Sequence, residues 1–174
     1  MKKKLVHILL FIIARIRVIY SPWLHKKFYQ ASADESEWAA HRSLGMYQFS
    51  NKINQYDYLW DIGKGLLDSS FPSSNPSYFF TNVDKGRDCD DFARIWRLWG
   101  EYNGYKGYEY IVTDPAHPFS KAHVVALLEK SGQWWLMNYT PYGPVQSKQQ
   151  ALDIIGTWYD DFVAVPYHFE KEKA

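Results

Sequence analysis

The chain has 174 residues, of which 47% are hydrophobic and 22% are charged, and its formal net charge is +1. This length predicts a single domain, and the 18% aromatic content provides enough apolar surface for a hydrophobic core, so a multidomain enzyme and a disordered chain are both excluded. The single cysteine, Cys89, excludes an intramolecular disulfide and a four-cysteine zinc site.

The positive charge is concentrated at the start of the chain. Residues 1–30 contain seven Lys and Arg and no Asp or Glu, so the net charge of +1 leaves −6 on the remaining residues. We therefore divide the chain into a basic, apolar N-terminal helical arm, residues 1–30, and a mildly acidic body, residues 31–174. The acidic body argues against a nucleic-acid partner.

The arm has the charge and hydropathy of the first half of a secretion signal, with three lysines before an apolar run from Leu5 to Ala14. Arg15 and Arg17 stand where a cleavage site needs small residues, and the run is about half the ~20 residues that span a bilayer. Three interpretations remain: a basic helix on an anionic membrane surface, an uncleaved export signal, or a helix packed on the body or on a protein partner. We favour packing, and expect the arm to end at Ser21-Pro22.

Two helices are predicted between the arm and a loop rich in Ser, Pro and Asn at residues 69–77. The first runs from Glu35 towards Leu44, after a cap at Ser32 or Asp34. The second carries apolar residues at three- and four-residue spacing and ends at Gly63 and Gly65; the apolar residues are Phe49, Ile53, Tyr56 and Trp60.

The clearest predicted helix begins at Cys89 and ends at Asn103-Gly104. One apolar stripe follows it at helical spacing, formed by Phe92, Ile95, Trp96, Trp99 and Tyr102. We assign the two tryptophans to the core, because their spacing is that of a buried helix face.

Strands are predicted at residues 108–113, 123–129, 134–138 and 162–167, and the second and third form a hairpin across residues 130–133. Ser147 and Gln150 form a capping box for a helix that runs to about Trp158. Helices first, followed by a mostly antiparallel sheet with one inserted helix, define the α+β class.

Three residues in this half of the chain have the chemistry of a thiol catalyst. Cys89 opens its helix, where the backbone dipole favours a thiolate and free N–H groups can bind an oxyanion. A thiol also needs a base, and His123 at the start of a strand is the candidate, because His117 lies between two prolines in a predicted loop. Asn138 on the partner strand can accept the second imidazole N–H and so orient the ring.

The runs GRDCDDFA, AHVVALLE and WWLMNYTP resemble transglutaminase-like cysteine proteins, a bacterial proteinase branch of the papain-like superfamily. The resemblance covers residues 84–142. It implies Cys89 as the nucleophile, His123 as the base and Asn138 as the orienting residue. It also implies a core in which the nucleophile-bearing helix packs on an antiparallel sheet, here with an N-terminal helical extension.

The chain departs from the family pattern at two positions. Arg87 is inserted between the Gly and the Asp before the cysteine, and Asn138 replaces the usual Asp, as in papain. An uncharged orienting group stabilises an imidazolium less than a carboxylate does. The family's second oxyanion donor has no motif match, although Tyr78 and Asn82 lie in the right region of the sequence.

Three carboxylates flank the cysteine, those of Asp88, Asp90 and Asp91. They oppose the thiolate unless they point away, pair with Lys85, Arg87 or Arg94, or hold a hard cation. Some bacterial members of the family bind calcium at such acids, so the resemblance implies a calcium site here, although no cofactor is required. Acids also occur at helix N-termini because they stabilise the helix dipole, which needs no metal.

The predicted function is therefore a cysteine peptidase or amidase that acts on a peptide or protein substrate through a thioester. Attack of an amine instead of water would make it an acyltransferase or crosslinking enzyme. A catalytically inactive interaction module with the same fold is the third alternative, and the uncharged Asn138 and the acids around Cys89 favour it. Trp134 and Trp135 point to opposite faces of their strand, so we expect one to be buried and the other to wall the active-site cleft.

Overall fold

The computed structural model describes residues 3–28, 35–56, 76–81, 87–118 and 121–167, with side chains of the first helix described for residues 3–16. The described helices are α1 (Lys3–Phe28), α2 (Glu35–His41), α3 (Met46–Ile53), α4 (Tyr78–Thr81), α5 (Cys89–Tyr102) and α6 (Lys148–Asp153). The strands are β1 (Lys106–Thr113), β2 (His123–Lys130), β3 (Gln133–Asn138), β4 (Thr140–Val145) and β5 (Val163–Pro166). This mixture of helices and an antiparallel sheet is an α+β fold with an N-terminal helix, as the sequence predicts.

The five strands form one antiparallel sheet in the order β4-β3-β2-β1-β5. The predicted hairpin is confirmed, because β2 pairs with β3 from Lys130 opposite Gln133 to Ala126 opposite Met137. Its turn consists of Ser131 and Gly132, with φ of 53° and 79°. Left-handed residues at both turn positions match the twist of a two-residue hairpin, which explains the glycine.

Two elements are not predicted by the sequence, the short helix α4 and strand β4. The strand is the longer of them. It contains Pro141 and Pro144, which read as loop residues because proline gives no N–H to a sheet ladder. Among the described strands, β4 lies at the edge of the sheet and pairs with β3. An edge strand tolerates proline, because only one of its sides is paired.

The sheet separates two hydrophobic clusters. One cluster combines the helices α1, α3, α4 and α5 with residues of one sheet face, among them Val124, Ala126 and Leu128. The other joins α6 and the 3-10 turn at Ile154–Thr157 to the opposite face, which includes Val125. The alternation of residues along β2 between the two clusters is the period-2 pattern of a strand buried on both faces.

Helix α5 lies very close to the sheet. A side chain at Gly100 would overlap Leu128 of β2, and one at Gly107 of β1 would meet Arg97 of α5. Both glycines therefore allow backbone to approach where any larger residue would separate helix and sheet. The close approach fixes the position of α5 along β2, and so the position of Cys89 at its start.

Helix α1 packs on the body through one face, in agreement with the favoured interpretation of the arm. Val6, Leu10 and Ala14 recur every four residues, are buried, and belong to the core cluster that also contains α5. Lys3 adds an ion pair with Asp161 beside β5. None of the helices in the described ranges has both the length and the apolar character needed to cross a membrane.

The prediction that the arm ends at Ser21-Pro22 is wrong, because α1 continues to Phe28. An internal proline removes one helical hydrogen bond and usually bends or ends a helix, but the backbone here remains helical on both sides of it. The boundary drawn at residue 30 lies just past the described end of the helix.

Three other element boundaries differ from the predicted ones. Helix α2 ends at His41, and α3 ends at Ile53 with Asn54 as its C-cap. Helix α6 ends at Asp153 and continues only as the 3-10 turn. The expected caps at residues 32 and 34, the residues 60, 63 and 65 of the second predicted helix, and most of the loop at residues 69–77 lie outside the described residues.

The remaining elements agree closely with the sequence. Helix α5 begins at Cys89 and has Asn103 as its C-cap. Strand β5 forms within the predicted segment and pairs with β1. Ser147 caps α6 by accepting a hydrogen bond from the Gln150 N–H at 3.1 Å, but the Gln150 side chain accepts from the N–H of Gln146 rather than completing the capping box.

Candidate active site

The start of α5 places Cys89 in the first helical turn. The preceding residue, Asp88, is extended with φ −109° and ψ −163° and caps the helix by accepting the Asp90 N–H at 3.2 Å. Cys89 is half-buried and lies in the first turn of α5, where the backbone N–H groups point towards the start of the helix. The sulfur therefore sits where the helix dipole stabilises negative charge.

His123 and Asn138 form the hydrogen bond that the sequence predicts. His123 Nε2–H donates to Asn138 Oδ1 at 2.7 Å. Ala126 of β2 pairs with Met137 of β3. His123 lies three positions before Ala126 and Asn138 one position after Met137, so the two residues are diagonal neighbours at the same end of the hairpin. Because a carboxamide oxygen only accepts, Nε2 carries the proton, which leaves Nδ1 as the basic nitrogen.

Burial dominates the protonation of His123. Removal of the imidazolium from water lowers the pKa of His123, while the hydrogen bond to Asn138 and the negative charge of Asp90 raise it in part. The ring is therefore mainly neutral at pH 7 and fit to accept a proton. Asp90, in the first turn of α5, contributes to the same site as a nearby charge.

The lengths of the two elements place Cys89 level with His123. Gly100 of α5 packs on Leu128 of β2, which fixes one common point. Cys89 lies eleven positions before Gly100, about 17 Å along a helix, and His123 lies five positions before Leu128, about 17 Å along a strand. The thiol and the imidazole therefore come to the same end of the sheet.

Tyr139 connects α5 to the imidazole. Its ring centroid lies 4.9 Å from that of Phe92, one turn after Cys89, and 5.9 Å from that of His123. The tyrosine follows Asn138 directly, so one turn of chain supplies both the orienting amide and the ring beside the imidazole. The sequence analysis did not identify this residue.

The backbone of Tyr139 is held in an uncommon conformation. Its φ of 58° lies in the left-handed region, which costs a side-chain-bearing residue roughly 1–2 kcal/mol. Its carbonyl accepts hydrogen bonds from three side chains, each at 3.3 Å: the Ser50 hydroxyl, the Asn54 amide and the Trp96 indole. Helices α3 and α5 thus jointly fix the turn that carries the site.

Tyr159 contacts the chain just before the start of β2. Its hydroxyl donates to the carbonyl of Lys121, two residues before His123, at 3.0 Å. Burial raises the pKa of Tyr159, and the neighbouring Cys89 and Asp114 raise it further. The thiol of Cys89 thus acts electrostatically on a residue that is bonded next to the start of β2.

An open groove of about 400 Å³ adjoins these residues. It is lined by Asn54, Tyr56, Phe92 and Tyr139. The last two contact each other, and Tyr139 also packs near the imidazole. The guanidinium of the buried Arg87 lies over the Tyr56 ring at 4.5 Å and stabilises it by a cation–π contact. The groove is thus mainly aromatic, with one amide at its rim.

A buried ionic cluster anchors α5 to the sheet. Glu109 of β1 accepts from Arg94 Nε and Nη2 at 3.3 and 3.2 Å and from Arg97 Nε at 2.7 Å. The Glu109 side chain has no exposed surface. Burial by itself lowers the pKa of each arginine, but Glu109 acting together with nearby groups outweighs burial, so both pKa values are raised and both side chains stay charged. The additional groups are Tyr167 and Asp90 for Arg94 and Glu101 for Arg97.

The acids around Cys89 do not fit calcium well. Ligand atoms of Asp88, Cys89 and Asp90 lie within 4.8 Å of one another, and Asp91, the third predicted ligand, is outside this group. Calcium takes roughly six to eight oxygen ligands, whereas this group offers two carboxylates and a sulfur. Since both carboxylates are buried, little room remains for water as the other ligands.

The remaining residues that the sequence associates with the site do not line the groove, or they lie outside the described ranges. Trp134 stacks on Tyr108 and Trp135 packs on Tyr105, and both are half-buried. The expectation that one is buried and the other walls the cleft is therefore wrong, and neither lines the groove. Both tryptophans pair with the far end of β2, away from His123. Tyr78 packs in part against the core cluster, and residue 82 is outside the described ranges.

His117 lies in the exposed turn that the sequence predicts. Its ring bonds Asp114 at 3.0 Å, and this hydrogen bond, with those from the Ala116 N–H and Lys121, holds the pKa of Asp114 at about 2. His117 is therefore a surface residue near the site, whereas His123 carries the hydrogen bond expected of the base.

No protein-family model, curated protein or solved structure matches the chain. The assignment of function therefore rests on the residues and on their geometry.

Proposed function

We propose that the chain is a cysteine hydrolase, a peptidase or amidase with Cys89, His123 and Asn138 as its triad. The observation that carries the proposal is the 2.7 Å hydrogen bond between His123 Nε2 and Asn138 Oδ1, at the end of the sheet where α5 begins with the cysteine. The motif resemblance to transglutaminase-like proteins supports the same roles. A papain-like core, with α5 packed on the antiparallel sheet, is part of this proposal.

The proposed reaction has two steps. His123 Nδ1 takes the proton of the Cys89 thiol, the thiolate attacks the amide carbonyl, and the imidazolium returns the proton to the leaving amine, which yields a thioester. Water then attacks the thioester with His123 as the base, releasing the acid and the thiol. The N–H of Cys89 supplies one donor to the oxyanion in both steps.

The aromatic groove indicates the kind of substrate. Cys89, His123 and Asn138 are not among its lining residues, but Tyr139 of the lining lies 5.9 Å from the imidazole and Phe92 lies one turn after Cys89. A group bound in the groove would therefore lie close to an amide held at the triad. Aromatic walls favour an apolar or aromatic side chain, because such surfaces gain most from excluding water. We propose a peptide with an apolar residue near the cleaved amide as the substrate.

The carboxylates beside the sulfur favour a second candidate, an inactive binding module. A carboxylate oxygen of Asp88 and one of Asp90 each lie within 4.8 Å of the Cys89 sulfur. At an effective dielectric constant of 20, each of these charges raises the free energy of a thiolate by about 3 kcal/mol or more. Asp88 and Asp90 together thus compete with the imidazolium and the helix dipole, although the positive charge of Arg94 acts on Asp90. Crosslinking by amine attack has no comparable observation in its favour.

The pH dependence of iodoacetamide labelling separates the two candidates. In the hydrolase, half-maximal labelling of Cys89 lies well below the ordinary thiol pKa of ~8.5, and His123→Ala moves it back towards that value. His117→Ala is the matched control, because it removes an exposed imidazole near the site and should leave the profile unchanged. An ordinary thiol profile in all three proteins would support the binding module instead.

A further inference from the structure

Helix α1 carries apolar side chains on two opposite faces. Val6, Leu10 and Ala14 face the body. At 100° per residue, a second stripe lies on the other side of the helix, formed by residues that are 48–57% exposed: Leu5, Ile8, Ile12 and Ile16. A helix that only covers the body would carry polar residues there.

The second stripe is a continuous apolar surface. Its members follow each other at three- and four-residue spacing, so they form one row that extends about 17 Å along the helix. Phe11, 37% exposed, widens the row at its centre. Contiguous apolar patches of this kind mark interaction sites rather than ordinary surface.

The charges around the stripe indicate what covers it. Lys4 and Arg15 are exposed and both lie along one side of the row, and residues 1–30 carry seven positive and no negative charges. Two copies of α1 packed through their stripes would bring these like charges together, which disfavours a second copy as the partner. An anionic lipid surface offers both an apolar layer for the stripe and negative headgroups for the charges beside it.

We propose that α1 docks the protein on anionic membrane surfaces, with the helix lying in the plane of the interface. The exposed stripe enters the boundary between headgroups and acyl chains, Lys4 and Arg15 contact the headgroups, and the buried face keeps the body attached. The helix does not need to cross the bilayer, in line with its hydropathy. This surface is independent of the thiol site.

Co-sedimentation of the full chain with vesicles tests the proposal. Binding is expected for vesicles of phosphatidylglycerol and phosphatidylcholine, and it should fall steeply between about 0.1 and 1 M salt, where the screening length shrinks from ~10 to ~3 Å. Ile8→Asn with Ile12→Asn should weaken binding by roughly tenfold or more. Lys4→Gln with Arg15→Gln should do the same at low salt, since each charge contributes.

A matched control is available on another helix. Tyr47 of α3 is 68% exposed, so Tyr47→Asn removes a comparable apolar side chain without touching α1 and should leave binding unchanged. Thermal melts show that each variant is folded. If the variant with Ile8→Asn and Ile12→Asn does not fold, the variant with Lys4→Gln and Arg15→Gln alone decides whether α1 binds the vesicles.

Three outcomes would overturn the proposal. The first is no sedimentation with anionic vesicles, and the second is equal binding to vesicles of phosphatidylcholine alone. The third is a dimer, seen by light scattering without lipid, that the isoleucine substitutions dissociate, which would make a second copy the partner of the stripe.

Discussion

Replacing Glu109 by Gln tests whether the buried ionic cluster fixes α5 on the sheet. The substitution keeps the size of the side chain but removes the negative charge of the carboxylate. Arg94 and Arg97 both donate hydrogen bonds to this carboxylate. The three side chains are 0%, 5% and 7% exposed, so solvent cannot replace the lost carboxylate. Breaking a buried ion pair in this way costs about 3–5 kcal/mol of unfolding free energy.

Glu101→Gln provides the matched control. Glu101 also pairs with Arg97, but its side chain is 32% exposed, so water compensates for the loss. We expect a cost of at most about 1 kcal/mol. For a chain of this length, Glu109→Gln should lower the melting temperature by about 6–20 °C. Glu101→Gln should lower it by less than about 4 °C.

Urea unfolding followed by tryptophan fluorescence measures both costs. The midpoint should fall much further for Glu109→Gln than for Glu101→Gln, with similar slopes. The cluster also holds α5, and with it Cys89, in place. Glu109→Gln should therefore slow the alkylation of Cys89 by iodoacetamide at neutral pH. Equal costs for the two variants would refute the reasoning, because they would mean that water reaches Glu109.

Two further predictions concern the site itself. Asp90→Asn should lower the pKa of His123 further, because Asp90 raises it in the native protein, and an NMR titration of the imidazole should show a lower midpoint; an unchanged midpoint would mean that the Asp90 charge does not reach the ring. Tyr139→Gly should be more stable than Tyr139→Ala by about 1 kcal/mol in urea unfolding, since glycine adopts the left-handed conformation without strain. The reverse order would show that the turn relaxes.

The sequence predicted those parts of the fold whose signals are local. Helix α5 was recognised from end to end, because one apolar stripe runs between the Asp88 cap and Asn103-Gly104. The β2–β3 hairpin was recognised because Ser131-Gly132 is a turn signal between two apolar runs. The pairing of His123 with Asn138 follows from that hairpin alone, so it too was within reach of the sequence.

The parts that were missed depend on contacts between distant segments. Helix α3 was predicted too long, and its C-cap, Asn54, bonds the Tyr139 carbonyl of a turn 85 positions away. The left-handed conformation of Tyr139 has no sequence signal, because tyrosine does not favour it. Glu109 sits in an apolar strand, and only the packing of α5 shows that two arginines satisfy it.

The prolines of β4 bear on what the outer edge of the sheet can bind. An unprotected edge strand recruits strands of other molecules, which leads to fibrils or to capture of extended peptides by backbone pairing. Pro141 and Pro144 leave this strand of six residues with two positions that have no N–H donor, so it is a poorer template for backbone pairing than a strand without proline. Addition of a strand from a second copy or of an extended peptide is therefore less favourable at this edge.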